Sequence, residues 1–485
     1  MNRQKQRKYL VSVLSGLFIA AIMLLWNPFS VPAQTNVTLA VAVLMIAWWI
    51  LEALPMPAVA LIPLVLHPLL GIASFEETAK SYANPAIFLF MGGFLIGLAI
   101  EKWNLHKRIA LLIVSKTGSS GNRIILGFIL ATGFLSMWLS NTATAMMMLP
   151  IGLSVVVVMK AHPQQGSNFH HFALVLMLSI AYASNMGGIA TIIGTPPNVA
   201  FVNFVEKKYG YAIDFADWMM VCTPLSLLLL FSIYFSLTHL FFPNRIASSE
   251  AANTFIQKEL KALGPLSSNE CRVLFVFLLT ATLWITKDLI NAIAPIKIDD
   301  AMIAIFGGLL LFMIPAVDDG KQPSGMLLEW EDTSRLAWGI LLLFGGGIAL
   351  AASLEKAGIM SAIGTWLAGF SHINGWMLVL LIVMVSIFLS EVMSNVAQVI
   401  VFAPVVAALA DALKLDPLLL GIPMTLAASC ASMLPMGTPP NAIVFSSGYI
   451  QLKDMLKAGF IVNLISIILI TLFCWFLLPA VMKLF

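Results

Sequence analysis

The sequence Ser-Met-Trp-Leu-Ser-Asn-Thr at 136–142 recurs as Ser-Glu-Val-Met-Ser-Asn-Val at 390–396, and both copies lie inside long apolar runs. A second motif, Gly-Thr-Pro-Pro-Asn, follows each copy, at 194–198 and at 437–441. Paired prolines remove backbone donors and bias the preceding residue away from helix, so these patches predict interrupted helices. Non-helical backbone at membrane depth is tolerated only where it faces protein or a water-filled cavity. The four patches therefore predict a polar site inside a membrane protein.

Composition supports the membrane assignment. Of the 485 residues, 60% are hydrophobic and 10% are charged, whereas about a quarter of a typical soluble domain is charged. Apolar runs long enough to cross a hydrocarbon core of about 30 Å recur along the whole chain. We expect an all-α polytopic membrane protein with about eleven transmembrane helices plus two re-entrant hairpins.

The two halves of the chain form an internal repeat. The spacing from Asn141 to Asn395 is 254 residues (395 − 141), and Pro150 and Pro404 repeat it. An odd number of predicted crossings separates corresponding spans, so the second copy enters the membrane from the opposite side. Inverted-topology repeats with interrupted helices are typical of secondary transporters.

The placement of basic residues predicts the orientation. Lys and Arg are enriched in the cytoplasmic loops of membrane proteins. The first ten residues carry four basic side chains, which places the N-terminus in the cytoplasm and, by parity, the C-terminus outside a multi-pass cell-membrane protein. Lys207 and Lys208 fall on the outside and violate the rule.

We interpret Ser140-Asn141 and Ser394-Asn395 as the tips of the re-entrant hairpins, since Ser and Asn are good helix N-caps. Helix N-termini attract anions, whereas helix C-termini and unwound carbonyls can coordinate Na⁺. The motifs contain no Arg, Lys or His, so a bound anion must be neutralised by bound cations. Two related hairpins predict two cation sites and two anion-group sites, and a small dicarboxylate fits that symmetry.

Glu391 is an acidic residue inside a predicted span, at the position of Met137 in the first copy. Intramembrane ionisable residues are functional candidates by default. Direct contact with substrate or ion and a purely structural pairing both remain open for this side chain.

These motifs, together with the segments 48–55, 84–85 and 441–445, resemble the divalent anion/sodium symporter family, whose members carry dicarboxylates, citrate or sulfate. The resemblance covers nearly the whole chain. It implies a homodimer in which each protomer has a fixed scaffold domain and a transport domain that moves as an elevator. The stretches Trp103–Lys116 and Lys356–Phe370 would be the arms that link the two domains.

The resemblance also implies a division of the chain. Residues 1–83 would be N-terminal scaffold helices and 84–243 the first inverted repeat. Residues 244–336 would be a cytoplasmic linker with further scaffold helices, and 337–485 the second inverted repeat.

By the same resemblance, each hairpin would hold one Na⁺. The implied sodium ligands are Ser136, Ser140, Asn141 and Gly194 in the first repeat, and Ser390, Met393, Asn395 and Gly437 in the second. The implied substrate contacts are Asn141, Thr142, Thr195, Asn395, Thr438 and Pro439. The second motif is often Ser-Asn-Thr in the family, and Val396 here removes one hydroxyl from the implied anion site.

The sequence thus predicts a sodium-coupled importer of C4-dicarboxylates such as succinate, malate and fumarate. A citrate or sulfate symporter, a Na⁺-independent dicarboxylate exchanger and a channel are alternatives. An intramembrane enzyme is disfavoured because the chain lacks an HExxH motif and the interrupted motifs offer no histidine base for a serine nucleophile. We expect no cofactor besides Na⁺ as coupling ion, no nucleic-acid partner, and a lipid bilayer around the dimer.

Overall fold

The computed structural model describes residues 3–27, 31–51, 53–161, 168–247, 249–293, 297–317, 325–359 and 374–481. The regular elements of these residues are almost all helices. The helices of the first half are α1 Arg3–Trp26, α2 Ala33–Ile50, α3 Met56–Val59, α4 Ile62–Leu69, α5 Phe75–Lys80, α6 Pro85–Lys102, α7 Leu105–Thr117, α8 Gly121–Ser136, α9 Asn141–Ala161, α10 Phe169–Gly188, α11 Pro196–Tyr209 and α12 Phe215–Phe235.

The linker and the second half continue the helical pattern. Their helices are α13 Glu250–Ala262, α14 Ser268–Ile293, α15 Asp300–Met313, α16 Trp338–Lys356, α17 Gly375–Ser390, α18 Asn395–Leu413, α19 Pro417–Ala428, α20 Pro439–Phe445, α21 Leu452–Phe476 and α22 Leu478–Val481. Short 3₁₀ turns cover Ser81–Ala83 and Trp330–Arg335, and a π-turn extends α12 over Ser236–Phe241.

The predicted number of membrane crossings agrees with this helix order. Nine helical segments of the described residues are long and apolar enough to cross a membrane, and shorter apolar helices accompany them. Two of the nine are α9 and α18, and the other seven together with the shorter apolar helices can supply the eleven expected crossings: α1, α2, α3 with α4, α6, α10 with α11, α12, α14, α15, α16, α19 with α20, and α21. The remaining pairs, α8 with α9 and α17 with α18, form the two hairpins, so the predicted all-α, inverted-repeat fold is confirmed.

The helices are interrupted near the predicted places. The first hairpin turns between Ser136 and Asn141, and the second between Ser390 and Asn395. Each of the two interrupted crossings contains an unwound segment, at 189–195 and at 429–438. The prediction that the Pro-Pro pair lies within the break was wrong, because both pairs open the following helix. Proline suits the first turn of a helix, where its missing N–H would have no partner and its fixed φ is already helical.

The two repeats pack against each other around these breaks. Helix α20 of the second repeat packs on α9 and α10 of the first, and α11 of the first repeat packs on α18 and α19 of the second. The Tyr182 hydroxyl in α10 donates a hydrogen bond of 2.9 Å to the carbonyl of Ser432 in the second unwound segment. The polar breaks therefore lie at the interface between the repeats.

One of the two predicted arms lies in the described part of the chain. Helix α7 follows α6 directly, and its buried Arg108 binds Glu270 of α14 at 2.7 Å. The Arg108 guanidinium also donates to the carbonyls of Leu263, Gly264 and Pro265. These contacts fix the first arm to the linker. Most of the second predicted arm, Lys356–Phe370, falls outside the described residues.

Candidate functional site

The first hairpin tip is a tight turn whose following helix is capped. Ser140 Oγ accepts a hydrogen bond of 3.3 Å from the backbone N–H of Ala143. This is the N-cap interaction predicted for the Ser-Asn pair, because a side-chain oxygen satisfies one of the free N–H groups of the first turn. The cap fixes the first turn of α9 and places Asn141 at its beginning.

Asn141 lies at the centre of an oxygen-lined cluster. Its amide oxygen lies 2.8 Å from Ser136 Oγ, and the same position is 3.0 Å from the carbonyl oxygen of Ser184 and 3.2 Å from that of Gly194. Turning the amide over would place its nitrogen there, as a donor to these three oxygens. In either orientation of the amide, the oxygens of Ser136, Ser184 and Gly194 converge on this one position. Oxygen ligands of this kind are what hard cations prefer in proteins.

The unwound segment 189–195 is held against this tip by hydroxyl and amide groups. The hydroxyl of Thr191 donates to the carbonyl oxygen of Met137 and accepts from the backbone N–H of Gly194 at 3.0 Å. The amide of Asn198 donates to the carbonyl of Thr191 at 2.8 Å. A Cβ atom on Gly194 would lie only 2.9 Å from the carbonyl oxygen of Ser136, so this close approach requires glycine.

The second hairpin tip repeats the arrangement with one difference. Ser390 Oγ lies 2.7 Å from the amide oxygen of Asn395, and it also hydrogen-bonds to the carbonyl of Ala428. Helix α18 starts at Asn395, but the side chain of Ser394 makes no capping hydrogen bond. The Ser-Asn pair and the adjacent helix carbonyl are therefore common to both tips, whereas the side-chain cap is found only at the first.

Glu391 holds the second unwound segment. Its carboxylate accepts hydrogen bonds of 2.8 to 2.9 Å from the backbone N–H groups of Ser432, Met433 and Leu434. The amide of Asn463 adds a fourth at 2.8 Å. The side chain is 4% exposed, and none of the ion pairs found in the described part of the chain includes it. These contacts favour the structural reading of Glu391.

A side chain from the first repeat contacts the second Gly-Thr-Pro-Pro-Asn motif. Asn185 in α10 donates to Thr438 Oγ1 at 2.9 Å and lies 3.4 Å from Asn441 Oδ1. Thr438 also accepts from the backbone N–H of Asn441 at 3.3 Å and so caps α20. A residue of the first repeat therefore binds the start of α20 in the second.

The implied ligands group unevenly around the two clusters. Ser136, Asn141 and Gly194 meet in the first, and Ser390 and Asn395 in the second. Thr195 joins the first cluster loosely, at 3.5 Å from the Asn141 amide nitrogen. The remaining implied ligands make no hydrogen bond to the side chain of Asn141 or Asn395 in the described part of the chain. These are Ser140, Thr142, Met393, Gly437, Thr438 and Pro439.

The substrate-facing side of the clusters is partly accessible. Thr142 and Asn395 are half-buried and Pro439 is exposed, whereas Thr195 and Thr438 are buried. Helices α9, α11 and α18 begin at this side, and each presents free N–H groups and the positive end of its dipole. The arrangement can thus place oxygen atoms around cations and N–H groups around an anion in the same region.

Sequence reasoning missed the roles of four residues that hold this geometry. Thr191 and Asn185 carry no signal of their own in a single sequence, since polar residues are common at contacts between membrane helices. Asn198 and Asn441 belonged to the quoted Gly-Thr-Pro-Pro-Asn motifs, but no role was assigned to them. Asn441 donates to the carbonyls of Ala431 and Leu434 in the second unwound segment, and Asn198 donates to the carbonyl of Thr191 in the first.

Comparison with known proteins adds independent information. A family model described as the sodium:sulfate symporter transmembrane region matches residues 5–482. The chain is 38% identical, over 99% of its length and 94% of the relative, to the sodium-dependent dicarboxylate transporter SdcS of Staphylococcus saprophyticus. It is 39% identical, over 97% of its length and 91% of the relative, to SdcS of Staphylococcus aureus (strain USA300).

A solved structure shares the fold. The YdaH transporter of Alcanivorax borkumensis aligns with a TM-score of 0.57 at 14% identity, covering 91% of this chain and 98% of that chain. At this identity the likeness concerns the fold alone.

Proposed function

Since the chain belongs to the sodium:sulfate symporter family, we propose that it is a sodium-coupled secondary transporter that imports C4-dicarboxylates such as succinate, malate and fumarate. Membership confirms the resemblance inferred from the motifs. The observation that carries the proposal is the pair of Ser-Asn clusters, one in each inverted repeat. The motifs that form them contain no basic side chain. The names of the curated relatives support the dicarboxylate.

The coupling ions are assigned to the two hairpin tips. One Na⁺ uses Ser136, Ser140, Asn141 and the backbone of Gly194, and the other uses Ser390, Asn395 and the backbone of Met393 and Gly437. The three oxygens that surround the Asn141 amide, those of Ser136, Ser184 and Gly194, support the first assignment. The contact between Ser390 and Asn395 supports the second by symmetry.

The substrate lies between the two tips. One carboxylate meets Asn141, Thr142 and Thr195, and the other meets Asn395, Thr438 and Pro439. Two bound Na⁺ ions would neutralise the dianion, which is required because a charge at membrane depth is costly when unpaired. Helix N-termini add favourable dipoles on the same side.

Transport follows an elevator movement within a homodimer in the cell membrane, with the N-terminus in the cytoplasm and the C-terminus outside. The segments 1–83 and 244–336 belong mainly to the scaffold. The repeats 84–243 and 337–485 supply the hairpins and interrupted helices of the mobile domain, whose mutual packing supports movement as one body. Such a protein is a carrier and performs no chemical reaction on its substrate.

The test is uptake into proteoliposomes. Purified protein should accumulate radiolabelled succinate when external Na⁺ drives transport, and the uptake should stop when K⁺ replaces Na⁺. Citrate and sulfate, tested as competitors in the same assay, should inhibit less than unlabelled malate. Undiminished uptake in K⁺ would contradict sodium coupling and indicate exchange, and preferential inhibition by sulfate or citrate would contradict the dicarboxylate assignment.

A further inference from the structure

A polar cavity of about 360 Å³ opens at the end of the molecule that the basic residues assign to the outside. We call it the outer vestibule. Its walls come from α5, which belongs to the proposed scaffold, and Asn84 just before α6 on one side, and from the last two turns of α11 and Ile348 of α16 on the other. The volume lies within the range of small-ligand sites, which begins at roughly 300 Å³.

Lys207 is the cation that α11 contributes to this vestibule. It is one of the two lysines that violate the positive-inside pattern, and the two differ in their surroundings. Lys208 pairs with Asp411 at 2.7 Å. Lys207 belongs to none of the ion pairs within 4 Å that the described residues form, although Glu355 and Glu77 lie close enough to act on it electrostatically.

The other charges of the vestibule are largely answered by neighbours. Glu77 accepts from Lys356 at 3.1 Å, and Lys80 pairs with Glu76 at 3.1 Å. Glu206 is the exception, because it belongs to none of the ion pairs among the described residues and the charged groups that act on it, Asp299 and Asp214, are acidic as well. Lys207 is thus the ammonium of this cavity with most freedom to meet an anion from solution.

Asn203 provides a second polar group one helical turn below Lys207. It is 2% exposed and lines the vestibule, yet its amide oxygen has no hydrogen-bond partner in the described part of the chain. A buried polar group without a partner costs free energy, so an amide at this place suggests a hydrogen-bonding occupant. The unpartnered oxygen can accept only from a donor such as a water molecule, whereas the NH₂ group of the same amide and the Lys207 ammonium are the donors that suit a carboxylate.

A second, much smaller cavity adjoins the vestibule on the side of the candidate site. Asn203, Lys207 and Ile348 also line this cavity of about 30 Å³ between α11 and α16, which is otherwise apolar and reaches Ala200 and Ile400. Residues 196, 200, 203 and 207 share one face of α11, and α11 begins directly after Thr195. At a rise of about 1.5 Å per residue, Lys207 lies about 18 Å from Thr195 along this face.

From these observations we propose that Lys207 and Asn203 form an outer recruitment site for the carboxylate of an incoming dicarboxylate. The anion binds there first and then passes along α11 to the paired Ser-Asn clusters. The inference rests on the proposed function, because the ligand class is the one assigned to those clusters. It adds a binding step that precedes, and is separate from, the sodium-dependent site.

The test is the concentration dependence of succinate uptake in the Lys207→Gln variant at saturating Na⁺. We expect the KM for external succinate to rise about fivefold, as the loss of one partly exposed charged contact implies. Vmax and the Na⁺ concentration for half-maximal uptake should not change. Lys207→Arg should restore most of the affinity, and Lys208→Gln is the matched control because that lysine is already paired.

A second experiment restores the charge chemically. In a Cys271→Ser background, which removes the one exposed native cysteine of the described residues, Lys207→Cys should share the raised KM. An impermeant trimethylammonium-ethyl methanethiosulfonate added outside should lower the KM again, whereas the sulfonate analogue should not.

The outcomes separate the two claims. If the unmodified protein shows no Na⁺-driven succinate uptake, the proposed function fails. If it does, but Lys207→Gln has an unchanged KM, the recruitment site alone is overturned. An equal rise in KM for Lys208→Gln would overturn it as well, since a diffuse surface field would then explain the effect.

Discussion

The unwound segments 189–195 and 429–438 occupy equivalent places in the two repeats but are held by different chemistry. In the first, the hydroxyl of Thr191 bridges the hairpin tip and the segment. In the second, the carboxylate of Glu391 gathers three successive backbone N–H groups. We call the residue that holds each unwound segment its pin. The pin is neutral in the first repeat and charged in the second, while the Ser-Asn pairs at both tips stay the same.

This difference separates two roles within each site, namely ion binding and the positioning of the unwound backbone. The shared part, Ser and Asn at the tips, is the part that should handle ions. The differing part, Thr191 or Glu391, sets the shape of the backbone that faces them. Variants of the shared part should therefore have similar effects in both repeats, and variants of the pins should not.

The largest expected effect comes from the shared part. Asn141→Ala and Asn395→Ala should each reduce Na⁺-driven succinate uptake by about 100-fold or more, because each removes a central oxygen of one cluster and leaves buried partners unsatisfied. Both variants should elute from size-exclusion chromatography as the unmodified protein does. Uptake at the normal rate in either variant would contradict the assignment of that cluster.

The next largest effect should come from the charged pin. In Glu391→Gln, one side-chain oxygen is replaced by an NH₂ group that faces backbone N–H donors. We expect a cost of about 2–4 kcal/mol, since hydrogen bonds to a charged group are the strong ones. The melting temperature of the purified protein should fall, and uptake with it. Glu391→Asp keeps the charge but shortens the side chain, so its melting temperature should lie between those of the unmodified protein and Glu391→Gln.

The neutral pin should matter less. Thr191→Val preserves the shape of the side chain but removes one hydroxyl that serves two hydrogen bonds, at an expected cost of about 1–3 kcal/mol. Measured in the same thermal unfolding experiment, this loss should be smaller than that of Glu391→Gln. The reverse order would show that the two segments are not held in the way their contacts suggest.

The smallest effect is expected at the third position of the tips, where Thr142 in the first repeat corresponds to Val396 in the second. Val396→Thr should change the KM for succinate by no more than about threefold, and Thr142→Val should raise it by about fivefold, the equivalent of about 1 kcal/mol. Uptake kinetics at saturating Na⁺ measure both. A larger effect of Val396→Thr would mean that the missing hydroxyl matters for the anion site.

The architecture could be predicted from the sequence because the features that indicate it are local. Apolar length, Pro-Pro pairs and a constant spacing identify the crossings, the breaks and the repeat without knowledge of any contact. The position of the Pro-Pro pairs was the exception, because proline in the first turn of a helix and proline in a break look the same in sequence.

The groups that hold the site were harder to predict because their partners are distant in sequence. Glu391 was recognised as unusual, but its role depends on backbone N–H groups about forty residues away, at 432–434. Asn185 contacts Thr438 only because two repeats pack face to face. Lys207 was visible as an exception to the charge pattern, while the cavity beside it exists only in the folded molecule.

The hydrogen bonds from Tyr182 to Ser432 and from Asn185 to Thr438 join residues about 250 positions apart. During synthesis the first repeat enters the membrane long before its partner exists, because a ribosome adds only about 5–20 residues per second. Until the second repeat arrives, these two polar side chains must be satisfied by other groups or by water. The duplicated architecture thus imposes an order of assembly, in which a chain shortened to its first half would insert but could not close a complete site.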